Sequence, residues 1–94
     1  MDIRYNLDVE TELPHIYGHG VTEDEVEQIL MRRGYDRPAG DNSRMALGQT
    51  RAGRYLKVVY VPDEDGKGVF IVTAHQMTGN LLTAYRRWAR RRGR

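Results

Sequence analysis

The chain has 94 residues, of which 39% are hydrophobic and 30% are charged, a composition typical of one globular domain rather than a disordered segment. Cysteine is absent, which excludes disulfides, thiolate catalysis and cysteine-based zinc sites and favours a reducing compartment, so we expect a cytoplasmic protein. The chain also lacks a long apolar run and a secretory leader pattern, which predicts that no membrane is among its partners.

The charges are segregated along the chain, although the formal net charge is only +2. Residues 1–30 carry eight acidic side chains and one arginine, whereas residues 31–94 carry fourteen basic side chains and five acidic ones. This asymmetry predicts a surface that binds a polyanion. The alternative is that the two halves neutralise each other across the fold.

The first half of the chain reads as helical. After a weak strand signal over residues 2–7, residues 8–18 predict a weak helix. Thr22 and Glu25 have the spacing of a capping box, which predicts a second helix from about 23 to 33 with an acidic first turn. Residues 35–43 are rich in turn-forming residues and predict a loop.

The second half changes to the two-residue period of strands. Three strands are predicted, the best of them apolar on both faces and therefore central, and short turns connect them: residues 44–49, 55–61 and 69–74. A last helix is predicted from Thr78 to about Arg92, with an apolar side formed by Leu81, Leu82, Tyr85, Trp88 and Ala89. We therefore expect one α+β domain over residues 1–94, with two N-terminal helices, a three- to four-stranded antiparallel meander and a C-terminal helix.

Hairpin geometry predicts that three polar side chains converge at one end of this meander. Arg54 begins the middle strand beside the turn that holds Arg51, and it lies opposite the end of the third strand, near His75. Histidine titrates near neutral pH, and one arginine guanidinium group can bind two phosphate oxygens at once. The grouping predicts metal-independent cleavage of RNA through attack by the 2′-hydroxyl, with no cofactor. The alternative is a solvated end of the sheet with no catalytic role.

Further basic and aromatic groups extend this candidate site. Lys57 and Tyr85 are predicted to support catalysis, and five arginines are predicted to contact RNA: Arg44, Arg86, Arg87, Arg90 and Arg91. The basic helix could instead be a solvated helix end or a docking site for an acidic protein. Trp88 could stack on bases, but its spacing from Tyr85 is more typical of core packing.

The metal signals are weak. His15 and His19 stand four residues apart, the spacing of a helical zinc pair, but Pro14 and Gly18 interrupt that segment and no third ligand is evident. The acidic residues of Asp63–Gly66 lack the spacing of a calcium loop and predict a turn. The sequence therefore predicts no metal site.

Several segments resemble the BrnT-type toxins of type II toxin–antitoxin systems. The likeness covers about residues 18–88 and lies in His19-Gly20-Val21-Thr22 before an acidic helix, in Gly53-Arg54-Tyr55-Leu56-Lys57-Val58-Val59-Tyr60, and in Ile71-Val72-Thr73-Ala74-His75 followed by a helix with Tyr85-Arg86-Arg87. The resemblance implies a RelE-like fold, endoribonuclease activity against RNA that is either free or on the ribosome, and an antitoxin partner. Arg54 matches the hairpin arginine and Tyr85 the helix tyrosine, whereas His75 stands where the family has arginine.

Three functions therefore follow as expectations. The first is a metal-independent endoribonuclease toxin that uses the candidate site above. The second is a non-catalytic module that binds RNA or the ribosome through the basic helix. The third is a protein-interaction domain in which that helix, or the acidic first half, receives a partner.

Overall fold

The computed structural model describes residues 1–32 and 34–92, in which five strands form one sheet flanked by two α-helices. The elements are β1 (Asp2–Tyr5), α1 (Glu23–Met31), β2 (Tyr35–Gly40), β3 (Ser43–Gln49), β4 (Tyr55–Pro62), β5 (Gly68–Gln76) and α2 (Gly79–Arg92), with a short 3₁₀ helix (His15–His19) before α1. The strand order is β1-β5-β4-β3-β2. β1 runs parallel to β5, and every other neighbouring pair is antiparallel.

The predicted arrangement of two N-terminal helices and a RelE-like antiparallel meander is wrong. The fold is a small α+β structure with a mixed five-stranded sheet, one central helix and one C-terminal helix. Residues 8–18 form only the 3₁₀ helix, because Pro14 has no amide hydrogen to donate and interrupts the segment. Residues 35–40 are the edge strand β2 rather than a loop, and an edge strand can hold Pro38 because one of its sides needs no ladder bonds.

The start of α1 is determined by local side-chain hydrogen bonds. The Glu25 amide donates to Thr22 Oγ1 over 3.2 Å, and the Thr22 amide donates to Glu25 Oε1 over 3.0 Å, which completes a capping box. Val26 and Ile29 are buried and pack on one face of the sheet with Leu56 and Val58. We call this the α1 face.

The helix α2 lies on the other face of the sheet. Consecutive residues of a strand point to opposite faces, so Tyr55 faces away from Leu56 and α1. The Tyr55 ring lies 6.1 Å from the Tyr85 ring of α2, and Tyr35 of β2 lies 5.4 Å from Trp88. No residue of α2 is buried, although its apolar side is half-buried. Among the described residues, neither helix is long and apolar enough to cross a lipid bilayer.

Candidate nucleic-acid interface

The two helices carry opposite charge. α1 contains four acidic side chains and no basic one, whereas α2 contains five arginines and no acidic residue. Because the helices cover opposite faces of the sheet, the segregation of charge along the chain becomes a segregation in space. The protein therefore has an acidic helix on one face and a basic helix on the other, and the two halves of the chain neutralise each other only in part, through Arg51 and Arg54.

Strand register places a row of side chains across the face that carries α2. Tyr35 pairs with Leu47, Leu47 with Lys57, and Lys57 with His75. Directly opposed residues share a face of the sheet, so these four belong to one row. Tyr55 lies two residues from Lys57 on the same face. We call this surface, together with α2, the α2 face.

Aromatic rings and arginines alternate along the α2 face. The rings of Tyr85 and Trp88 lie 5.7 Å apart. Guanidinium groups lie over several rings: Arg37 is 4.6 Å from the Tyr35 centroid, Arg86 is 5.8 Å from Tyr55, and Arg92 is 5.3 Å from Trp88. These separations allow cation–π contacts, which hold the planar guanidinium groups beside aromatic faces.

Two grooves lie between α2 and the sheet. The larger, of about 330 Å³, is lined among others by Arg32, Gln49, Trp88 and Arg92. The second, of about 260 Å³, is lined by Gln49, Tyr55, Arg86, Ala89 and Arg90. Both grooves combine cationic and aromatic walls, the combination that a phosphate backbone and its bases require.

Arg54 and Arg51 each contact an acidic residue of α1. Arg54 Nη1 lies 2.8 Å from Glu25 Oε2 and donates to the Gly20 carbonyl over 2.9 Å. Arg51, in the turn before β4, lies 4.0 Å from a carboxylate oxygen of Asp24. Both guanidinium groups therefore contact the acidic side, whereas His75 lies in the row of the α2 face. Among the described residues, neither arginine forms a hydrogen bond with His75. Arg54 and Lys57, the partner of His75, stand three positions apart in the sequence, so they point to opposite faces.

Arg44 is held on the α1 face by an internal network. Its Nε lies 2.8 Å from Asp36 Oδ1, and the Tyr60 hydroxyl donates to the same carboxylate. The hydrogen bond with Asp36 raises the pKa of Arg44. Burial and the same carboxylate raise the pKa of Tyr60 to about 12. Arg44 therefore lies on the other side of the sheet from the arginines of α2.

The remaining predicted residues belong to the α2 face. Lys57 and His75 lie in its row, and Tyr85 is half-buried against Tyr55, where burial raises the pKa of the Tyr85 hydroxyl. The predicted RNA-contacting residues of the helix are exposed: Arg86, Arg87, Arg90 and Arg91. Within residues 34–92 and 1–32, no carboxylate forms a salt bridge with an arginine of α2. Arg33 and Arg94 lie outside the described residues.

A histidine cluster that the sequence did not predict lies at the end of β5. His15 Nδ1 is 2.8 Å from Asp8 Oδ1, and His15 Nε2 is 3.3 Å from His19 Nε2. The His19 ring centroid is 5.9 Å from that of His75. The spacing of His15 and His19 was a local signal, but nothing local links them to His75. In the part of the chain that the structure describes, no three His, Asp or Glu side chains are arranged to hold a metal ion.

The comparisons with known proteins do not place this chain in a family. Comparisons with models of protein families, with curated proteins and with solved structures each found no match.

Proposed function

We propose that this protein binds single-stranded RNA on the α2 face of its sheet. The observation that carries the proposal is the α2 helix itself, which presents five arginines without an acidic residue beside a set of aromatic rings. Arginine neutralises phosphate and releases counterions, which supplies most of the affinity for nucleic acid. The acidic side of the molecule would repel the same backbone, so it orients the RNA toward α2.

Aromatic side chains favour a single strand over a duplex. Unpaired bases stack on rings, at about 1–3 kcal/mol per base, whereas the bases of a duplex are already stacked on each other. Trp88 and Tyr85 line the larger groove and Tyr55 lines the second, in each case next to arginines. RNA rather than DNA follows from the resemblance to ribonuclease toxins.

The salt dependence of binding tests the proposal. We expect the affinity for a fluorescein-labelled single-stranded RNA, measured by anisotropy, to fall with a log–log slope of about −3.5 if five arginines contact phosphates, at about 0.7 per contact. The double variant Arg87→Gln/Arg90→Gln should reduce the magnitude of that slope by about 1.4. Binding that is insensitive to salt and to this variant would contradict the proposal.

A matched control variant removes two basic side chains that lie outside α2. Arg4 contacts Asp2 and Asp63, and Lys67 lies in the turn between β4 and β5. The variant Arg4→Gln/Lys67→Gln has the same net charge as the α2 variant. It should bind RNA with nearly the wild-type slope, because the specific placement of the arginines on α2, rather than the net charge, determines the contacts.

Cleavage of the bound RNA is the second candidate function. His75 and Lys57 are directly opposed on the same face as Tyr85 and the α2 arginines, which supports an acid–base group beside a bound phosphate. This is the activity that the resemblance implies, as a metal-independent toxin with an antitoxin partner. Induced expression should then arrest growth, and His75→Ala should relieve the arrest. A wild-type protein that neither slows growth nor degrades RNA would contradict this candidate.

A protein partner is the remaining alternative for the arginine helix. An acidic antitoxin bound to α2 would compete with RNA for the same arginines. Co-purification of a small acidic protein that RNA displaces in a salt-dependent manner is expected if both bind this face. Co-purification that RNA does not disturb would place the partner elsewhere on the surface.

A further inference from the structure

We propose that His19 and His75 are the acid–base pair that cleaves RNA bound on the α2 face, and that Asp8 and His15 position His19. This inference rests on the proposed RNA binding and adds to it a reacting centre. Two of its residues, His15 and His19, come from the 3₁₀ helix, whereas His75 comes from β5. The observation is the continuous chain of contacts from the Asp8 carboxylate through His15 to His19, which ends beside the His75 ring.

The contact with Asp8 places one proton of this chain. A carboxylate only accepts hydrogen bonds, so His15 Nδ1 carries the proton that it donates to Asp8 over 2.8 Å. In the form that general-base catalysis requires, His15 is neutral, and the lone pair on its Nε2 accepts the proton of His19 Nε2 over 3.3 Å. His19 is left with Nδ1 free to accept a proton from a substrate. An imidazole backed by a hydrogen-bonded carboxylate is the arrangement that stabilises the imidazolium formed in general-base catalysis.

The backbone holds this chain in place. The Asp8 amide donates to the Leu13 carbonyl over 2.9 Å, and the His15 amide donates to the Asn6 carbonyl over 2.8 Å, which closes the loop that carries Asp8. Gly20 adopts the left-handed conformation directly after His19 and ends the 3₁₀ helix there. The relay is therefore built on hydrogen-bonded backbone, and only the His19 and His75 rings need to adjust to a substrate.

One member of the cluster, His75, lies in the row of the α2 face, where RNA bound on that face would pass. His75 is directly opposite Lys57 in the row of that face, and α2 begins three residues after β5 ends. Lys57 can neutralise a phosphate held between the row and the cluster. The Lys57 side chain supplies the cation that the charge of a pentacoordinate phosphorane requires, a role the sequence had divided between Arg51 and Arg54.

The reaction balances without another reactant. His19 takes the proton of the 2′-hydroxyl, the 2′-oxygen forms a bond to phosphorus, and the bond from phosphorus to the 5′-oxygen breaks. Protonated His75 gives its proton to that 5′-oxygen. The products are a 2′,3′-cyclic phosphate and a 5′-hydroxyl end. The reverse assignment of acid and base gives the same products, so the proposal concerns the pair rather than the order.

Separate measurements of binding and cleavage test the pair. The probe is a labelled single-stranded DNA oligonucleotide that contains one ribonucleotide, and cleavage is followed in single turnover at saturating protein with EDTA present. We expect cleavage only at the ribonucleotide. We expect His19→Ala and His75→Ala each to lower the rate at saturating protein by about 100-fold or more. Binding without cleavage, cleavage that EDTA abolishes, or full activity of His19→Ala would overturn the pair, while the binding proposal would stand.

A test of Asp8 and His15 must distinguish a slower cleavage step from a loss of folded protein. Asp8→Asn keeps the size of the side chain but can favour the other tautomer of His15, so we expect a slower cleavage step at unchanged affinity and unchanged melting temperature. Added imidazole should restore cleavage to His19→Ala but not to Asp8→Asn. Rates of Asp8→Asn equal to the wild type would exclude the positioning role. Failure of the wild type to bind any RNA would instead remove the proposed function itself.

Discussion

Arg54 and Glu25 form a salt bridge that joins the start of β4 to the first turn of α1, with Arg54 Nη1 2.8 Å from Glu25 Oε2. The same carboxylate accepts the Thr22 amide in the capping box, so one side chain both begins the helix and docks it on the sheet. The Arg54 and Glu25 side chains are 32% and 17% exposed, which reduces the screening of the pair by water. This contact gives Arg54 a role in the fold rather than in the proposed RNA surface.

Removal of the Arg54 guanidinium is expected to destabilise the protein and to spare RNA binding. Arg54→Ala should lower the free energy of unfolding by about 1–3 kcal/mol, because charge-assisted hydrogen bonds are lost and Glu25 keeps no cationic partner. Urea denaturation measures the change. The matched control is Arg51→Ala, whose exposed contact with Asp24 should contribute less than about 1 kcal/mol. Equal stability of the two variants, or a selective loss of RNA affinity in Arg54→Ala, would contradict the structural role.

Glu25 also predicts how stability changes in acid. Burial raises the pKa of Glu25, but the hydrogen bonds from the Thr22 amide and Arg54 lower it by more than burial raises it. The pKa of Glu25 therefore lies below its usual range. A carboxyl whose pKa is lower in the folded state stabilises the protein above the unfolded pKa of about 4.3, and this contribution is lost as pH falls through the folded pKa. Glu25→Gln should therefore flatten the stability profile below about pH 4.3, which urea titrations at several pH values would measure. A variant profile parallel to the wild type would argue against this coupling.

Gly68 tests the parallel pairing of β1 with β5. A Cβ atom at this position would lie 2.6 Å from the Asp2 carbonyl oxygen and 2.8 Å from an Asp63 carboxylate oxygen. Because backbone cannot yield as a side chain does, Gly68→Ala should destabilise the protein by about 1–3 kcal/mol. Hydrogen exchange of β1 amides should accelerate with it.

Gly34→Ala is the matched control for that substitution. Its added Cβ would meet only the Leu47 carbonyl oxygen, at 3.9 Å, which is an ordinary contact. Replacement of glycine where alanine fits reduces the entropy of the unfolded chain, so stability should be unchanged or higher by up to about 1 kcal/mol. A tolerated Gly68→Ala together with unchanged β1 exchange would show that β1 does not pair there.

Tyr60 predicts a loss of stability in alkali. Burial and the hydrogen bond to Asp36 raise its pKa to about 12, compared with about 10 in an unfolded chain. A group with a raised folded pKa contributes stability below the unfolded pKa and loses it as pH rises through the folded value. The protein should therefore lose stability between about pH 10 and pH 12. Tyr60→Phe should reduce this loss but not abolish it, because burial raises the pKa of Tyr5 to about 12 as well.

Ultraviolet absorbance of tyrosinate during a pH titration checks this assignment. The wild type should show late-ionising hydroxyls that include Tyr5 and Tyr60, and Tyr60→Phe should show one fewer. A variant that keeps the wild-type number of late ionisations would assign them to other tyrosines and would contradict the role of Asp36.

The α2 helix shows how far a local pattern predicts a candidate site. Its apolar side was predicted residue by residue, and the structure half-buries the same five residues: Leu81, Leu82, Tyr85, Trp88 and Ala89. The helical period that predicts the apolar side of α2 also predicts which arginines are exposed. The α2 arginines that were predicted to contact RNA therefore lie on one surface. Arg54 was assigned to the candidate site by hairpin geometry, and Arg44 by its charge and its place on the same sheet. Both lie instead in salt bridges of the other face.

The sequence by itself determined what depends on neighbouring residues: the capping box that begins α1, the turn at Gly53, the alternating strands β3 to β5 and the amphipathic side of α2. Only the tertiary structure decided the parallel pairing of β1, the edge strand β2, the face to which each cation points and the meeting of His19 with His75. These features depend on contacts between residues far apart in the chain. They also depend on strand register, because a slip of one residue moves every side chain of a strand to the opposite face of the sheet. No local pattern of residue types specifies such long-range pairing.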